Sequence, residues 1–270
     1  MGQGIAIALV AAGHPVRVLA RSPRPLAPPL TLYPGPWAEA TRDVAIIVVA
    51  TPDDAIEAAA QSLLDHGAVR ATHAVLHLSG LRDRRALARL DQTGAAIGSF
   101  HPLQTVVDPR TAPEHLKGAW AGIEGDARAL EAGEHLAEWL GLRPVRLEAA
   151  SKPLYHAAAV LVANYTVSLA GVAERLARLA GVPRDLAGRI YLPLLAGAAE
   201  NLRSTTTAAA LTGPLRRGDL ETVRRHLDSL PADVVPLYRL LGLEALALAR
   251  AEGLDPATAD ALQALLAGSP

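Results

Sequence analysis

Asp43–Ala50, DVAIIVVA, is the stretch that most constrains the fold. After Asp43 it is an unbroken apolar run of strand length. A strand apolar on both faces belongs in a parallel sheet covered on both sides. Thr51-Pro52-Asp53-Asp54 follows and opens a helix over Ala55–Leu64. A strand, a tight polar turn and a helix N-terminus put Thr51 and Pro52 at the carboxyl edge of the sheet, where such folds bind ligands. The pattern recurs, with strands expected at Ala74–Leu78, Ala95–Phe100, Ala119–Ile123 and Arg143–Leu147. Helices are expected at Asp83–Gln92 and Ala127–Leu140. Alternating strands and helices predict an α/β fold with a doubly wound parallel sheet.

Strand signals end near residue 147. Helices are expected at Lys152–Ala180, Arg184–Asn201, Asp219–Ser229, Val234–Glu252 and Pro256–Leu266, with breaks at Gly181-Val182-Pro183 and Gly213-Pro214. The expected organisation is therefore a nucleotide-binding domain over 1–149 and an all-helical substrate and dimerisation domain over 150–270.

The N-terminus carries only part of a nucleotide-binding unit. Ile5–Ala12 reads as a helix, Gly13 as its stop and Val16–Ala20 as a buried strand. The strand and G-x-G-x-x-G that should precede this helix are missing, as though Gly2 were the last glycine of that fingerprint. The expectation is a sheet lacking its first strand and a domain short by about ten residues; the alternative is a chain that simply starts with a helix. At the end of strand Val16–Ala20, where an NAD site keeps Asp or Glu, stand Arg21 and Ser22. Guanidinium attracts a 2′-phosphate that a carboxylate repels, so the reading is NADP, against a plain Arg-rich loop.

Ser151–Asn164, SKPLYHAAAVLVAN, opens the helical half. Ser151 is a plausible N-cap, and Pro153 is tolerated in a first turn. Lys152 and His156 lie four apart, on one side of a helix. A helix N-terminus repels a cation, and the chain has only two lysines, Lys117 and Lys152. A compact, deprotonatable ammonium at this point is a candidate acid or base, weighed against a surface lysine and a packed histidine. Ala157–Ala163 is apolar all round and calls for burial.

Composition narrows the alternatives. The chain has 270 residues, no cysteine and a net charge of −1. These give no disulfide framework, no thiolate metal site, and no reason to expect nucleic acid or an acidic membrane surface. Neither a signal peptide nor an apolar run near membrane-spanning length is read, so a cytoplasmic protein is expected. Histidine spacing offers no metal site, and G-x-S-x-G and G-x-x-x-x-G-K-[ST] are absent. Asp53 and Asp54 read as ordinary N-terminal acids, and Tyr155 as packing.

Several segments together carry a family resemblance: LARSP at 19–23, VVATPDDAI at 48–56, HLSG at 77–80, SFHPLQT at 99–105, SKPLYHAAAVLVAN at 151–164 and LTGPLRRGD at 211–219. The chain resembles the pyrroline-5-carboxylate reductase and 6-phosphogluconate dehydrogenase superfamily. More closely, it resembles a bacterial branch with a C-terminal domain of unknown function 2520, labelled an NADP oxidoreductase. The resemblance implies a Rossmann domain followed by an all-α domain that forms homodimers. It implies an NADP site lined by Gly2, Arg21, Ser22, Thr51 and Pro52. Gly80 and His101 are read as further cofactor-binding residues, His101 from its turn at the sheet's carboxyl edge and weighed against a structural loop histidine held against Pro102. Ser79 would stand near substrate and nicotinamide. Lys152 would match the lysine of a K-x-x-x-N motif, with His156 in place of the asparagine. The implied function is hydride transfer between NADP(H) and a small carbonyl, hydroxy acid or imine. The alternative is a non-catalytic NADP-binding sensor or scaffold.

Overall fold

A computed structural model describes residues Met1–Gly268. Two compact units, Met1–Tyr165 and Thr166–Pro270, divide the chain. The division falls later than residue 149, because Lys152 fastens the start of the first long C-terminal helix to the sheet of the first unit.

The first unit begins with α1 (Gly2–Ala11), which stops where Gly13 takes the left-handed conformation expected of a helix terminator. A short α2 (Trp37–Ala40) follows. The sheet contains β1 (Ile46–Val49), β2 (Ala74–His77), β3 (Ala96–Pro102), β4 (Trp120–Gly125) and β5 (Arg143–Arg146), in that spatial order. Helices α3 (Ile56–Asp65), α4 (Ala112–Leu116) and α5 (Ala127–Trp139) connect them. One face buries Leu76, Phe100 and Ile123 against Ile5 of α1 and Leu136 of α5. The other buries Val75 and Ile97 against Ile56 and Leu63 of α3 and against Leu87 and Leu90.

Four features depart from expectation. The sheet is mixed rather than all parallel: β1, β2 and β3 run together, β4 pairs antiparallel to β3, and β5 follows β4. The link from β3 to β4 includes α4, which packs on α1 at the Gly4–Ala112 contact, and the chain re-enters the sheet from the end it left. Arg84–Thr93 is a 3₁₀ helix, not an α-helix. Its i, i+3 pair Leu87 and Leu90 lies on one line and is fully buried.

The third departure is Val16–Ala20, which forms no ladder; Val18 makes a single parallel bridge to Leu32. The outer edge of β1 carries no strand, and beside it lies a largely apolar cavity of about 740 Å³. Ile46–Val49 bound it on one side and Val16–Ala20 on the other.

Fourth, the long C-terminal helix is two helices, α6 (Lys152–Val162) and α7 (Asn164–Leu179), broken at Ala163. Between Lys152 and Glu174 there is no Asp, Glu, Lys or Arg. By length and composition Ala149–Leu179 is long and apolar enough to cross a membrane, contrary to the sequence reading, and none of its apolar window is buried.

The rest of the second unit is helical: α8 (Arg184–Ala187), α9 (Leu192–Ser204), α10 (Thr207–Ala210), α11 (Pro214–Arg217), α12 (Leu220–Ser229), α13 (Val235–Ala251) and α14 (Pro256–Ala267). Expected helix Arg184–Asn201 is thus also divided. Val223 of α12, Leu246 of α13 and Leu262 of α14 form its core.

Candidate functional site

Three adjacent strands place a row of polar residues across the sheet. His77 on β2 pairs in register with Ser99 on β3, and Ser99 with Glu124 on β4. All three are buried. His77 and Glu124 lie near the ends of their strands and Ser99 at the middle of β3, all on the face toward the 3₁₀ helix, and each strand is otherwise apolar or glycine in its buried positions. A polar row inside an apolar core must be internally satisfied, and this one is. Ser79 N–H donates to His77 Nδ1 at 3.2 Å, which leaves His77 Nε2 to donate to Asp83 O at 2.9 Å. Burial holds the His77 ring down at about 4, so it is neutral at ordinary pH. Ser99 Oγ donates to Glu124 Oε2 at 3.0 Å, and Arg84 N–H donates to the same carboxylate at 3.0 Å.

Lys152, the first residue of α6, joins this row. Its Nζ donates to Ser99 Oγ at 2.8 Å and to Ser79 O at 3.1 Å. The side chain is fully buried. Desolvation lowers its pKa to about 8, against the opposing pull of Glu124, Asp83 and Asp53. A lysine so placed still carries its charge at neutral pH but parts with a proton far more readily than a surface lysine.

His156 comes one turn later on α6 and meets His101 of β3 above Gly80. The two rings are 5.8 Å apart at 63°. Gly80 makes this possible: a Cβ there would stand 2.5 Å from His156 Cδ2 and 2.8 Å from His101 Cε1. His101 Nδ1 is 3.2 Å from Tyr155 Oη, and burial brings His101 to about 4. Tyr155, expected only to pack, is therefore a polar member of the cluster, its hydroxyl pushed up by burial to about 12.

The Ser79 hydroxyl is committed. It donates to Asp53 Oδ2 at 2.7 Å and accepts from the backbone N–H groups of Leu81 and Arg82. Its contribution toward Lys152 is the carbonyl. Asp53, read as an ordinary N-terminal acid, instead ties the Thr51-Pro52 turn to this site.

Of the expected residues, Ser79, Gly80, His101, Lys152 and His156 come together. Gly2, Arg21 and Thr51 instead line the cavity beside β1, with Ser22 and Pro52 exposed nearby in sequence and not part of its lining. Gly2 is pressed on Ala50, so that any Cβ would collide with Ala50 Cβ. The α1 N-terminus has no side-chain cap, and Thr51 Oγ1 is buried without a hydrogen-bond partner. Glu124, Ser99 and Asp53 were missed. The available signal was a polar residue in each of HLSG, SFHP and AGIEG, three otherwise buried strands; the antiparallel register that joins two of them carries no sequence signal. Among the described residues no group of three His, Cys, Asp or Glu side chains is placed to hold a metal ion.

Residues 119–245 match the family model described as Domain of unknown function (DUF2520). That span begins at β4 and holds Glu124, Lys152 and His156. No curated protein matches the chain. Among solved structures, protein TM1727 from Thermotoga maritima is 27% identical, with 77% of this chain and 80% of that one covered and a TM-score of 0.63. BF3122 from Bacteroides fragilis, provisionally named an NADP oxidoreductase, is 23% identical over 92% of this chain and 93% of that one, with a TM-score of 0.66. Plasmodium falciparum pyrroline carboxylate reductase with NADP bound is 11% identical over 99% and 96%, with a TM-score of 0.60. The chain thus matches the DUF2520 model over residues 119–245 and shares with these proteins a Rossmann-like sheet followed by a helical C-terminal region.

Proposed function

We propose that this protein is an NADP-dependent oxidoreductase that reduces, or in reverse oxidises, a small carbonyl, hydroxy acid or imine. The observation that carries the reading is the buried Lys152 ammonium beside Ser79, one helical turn from His156. Burying a charge is costly, and a fold that does so at the edge of a ligand-binding sheet does so for chemistry more often than for stability. A non-catalytic sensor has no use for that cost. The fold likeness to NADP-bound pyrroline carboxylate reductase supports the cofactor and the imine or carbonyl class.

The residues fit the cofactor at its phosphate end. The uncapped α1 N-terminus offers backbone N–H groups to an anion, Gly2 permits close approach, Thr51 Oγ1 has a free hydrogen-bonding capacity, and Arg21 favours a 2′-phosphate. Bound NADPH supplies a hydride. The chain supplies the matching proton and its placement. Lys152 commits two N–H groups to Ser79 and Ser99 and keeps its third for the oxygen or nitrogen of the substrate. His156, His101 and Gly80 shape the substrate end.

The exposed apolar residues of α6 and α7 support a homodimer, with a second copy covering them in a cytoplasmic protein. The test of the function is NADPH oxidation by the protein across keto acids, aldehydes and cyclic imines. Turnover with at least one class, lost in Lys152→Ala and reduced in His156→Ala with NADPH affinity retained, is expected. NADPH binding without turnover of any class would return the reading to a sensor.

A further inference from the structure

We propose that Glu124, acting through Ser99, is the positioning residue that keeps Lys152 charged and aimed. The inference rests on the reading of Lys152 as the proton donor, but its geometry stands alone. The chain of hydrogen bonds has one direction. Lys152 Nζ donates to Ser99 Oγ at 2.8 Å, and Ser99 Oγ, having accepted, donates its only proton to Glu124 Oε2 at 3.0 Å. A serine held this way cannot turn its proton back toward the lysine. It therefore presents a lone pair to Nζ, and the lysine is the donor in this contact.

Glu124 is itself fixed by the Arg84 N–H at 3.0 Å and by strand register, since Ser99 and Glu124 are paired residues of β3 and β4. It is buried, and desolvation raises its pKa against the hydrogen bond from Ser99 and the charge of Lys152. The lysine and the carboxylate therefore support each other's ionised forms across one hydroxyl. Ser99 and Ser79 O together hold two of the three ammonium protons and fix the direction of the third.

Other groups facing Nζ do not substitute for Glu124. Asp83, at the start of the 3₁₀ helix, is engaged by Arg85, and Asp53 by Ser79. Arg85 also faces Glu124. His77 and His101 lie near enough to feel Lys152, yet both are neutral above about pH 4. His156, on the same helix, faces His101. Of the three carboxylates around Lys152, Glu124 has the largest influence.

The test exploits the lysine count. With only Lys117 and Lys152 in the chain, and Lys117 exposed, a protein labelled with ¹³C at lysine Cε gives two NMR signals, one of them from Lys152. Wild type is expected to show one midpoint near 8, that of Lys152. Glu124→Gln keeps size and acceptor but removes charge, and is expected to lower that midpoint by about one pH unit. Ser99→Ala should lower it by less, and Ser99→Thr should restore it. The alkaline limb of the kcat–pH profile should move with it in each variant. If Glu124→Gln does not fold, Ser99→Ala against Ser99→Thr decides by the same readout. A Lys152 midpoint unmoved by loss of the Glu124 charge, or unmoved between the two Ser99 variants, overturns the proposal. Because the titration needs no substrate, absent NADPH turnover would sink the proposed reaction and leave this coupling independently decided.

Discussion

Lys152 and Leu154 stand two residues apart on α6, and their burial is the reverse of their chemistry. The lysine is 0% exposed and Leu154 78%. Further along, Leu161, Val162 and Val167 are 60%, 76% and 73% exposed. A buried ammonium opposes stability, and so does a row of leucines and valines in water. The two inversions have different remedies. Lys152 finds its remedy inside the first unit, in Ser79, Ser99 and Glu124. Leu161 and Val167 stay exposed among the described residues. One end of the segment is thus a completed polar site, and the remainder a surface that calls for cover.

The largest effect expected from breaking this contrast is at Lys152. Lys152→Met removes the proton donor and the desolvated charge together. Turnover should fall by at least about a hundredfold, and the melting temperature should fall too, because the buried Glu124 carboxylate loses its partner charge. Lys152→Met combined with Glu124→Gln should recover the melting temperature without recovering turnover; recovered turnover would mean the lysine is structural. Next in size is the apolar face. Leu161→Ser with Val167→Ser should weaken self-association by about a hundredfold, from about 1.5 kcal/mol for each apolar side chain. Sedimentation of wild type as a monomer at all concentrations would remove the homodimer.

Gly80→Ala sharpens the comparison at the site itself. Its Cβ would press on His156 and His101, and neither ring can withdraw without leaving its partner. A stability loss of about 1–3 kcal/mol is expected, with a tenfold or larger fall in kcat/KM. Unchanged kinetics would show that the histidine pair is not part of the substrate end.

The smallest effect is on acid stability. His77 and His101 are neutral in the fold at about 4, against 6.5 in the unfolded chain. The unfolded state therefore binds more protons between these values. Stability is full above about pH 6.5 and falls as pH drops toward 4. A urea-unfolding series over that range should show the decline, and His77→Asn should flatten part of it.

Much of this was legible in the sequence. Apolar runs located β1 to β4 because a covered sheet demands them, and Lys152 stood out because a helix N-terminus disfavours a cation. Gly13 marked the end of α1. The reversal of β4 was not legible, since β3 and β4 look alike whichever way they run. With it went the Ser99–Glu124 pairing and hence the partner of Lys152. Asp53 was hidden by its ordinary place at a helix start; only its contact with Ser79, 26 residues away, shows its use. The ladder of Val16–Ala20 failed because its composition suits a strand, whereas a ladder needs a neighbour that the described chain does not put beside it.

The central claim is that Lys152 delivers the proton that accompanies hydride transfer. Its most direct test is single-turnover deuteride transfer from 4-deuterated NADPH to an accepted imine or carbonyl, followed against pH in wild type and Lys152→Met. The account predicts a wild-type rate that falls above about pH 8, and a Lys152→Met rate at least about a hundredfold lower with no such fall. Equal rates, or the same alkaline fall in both proteins, would contradict it.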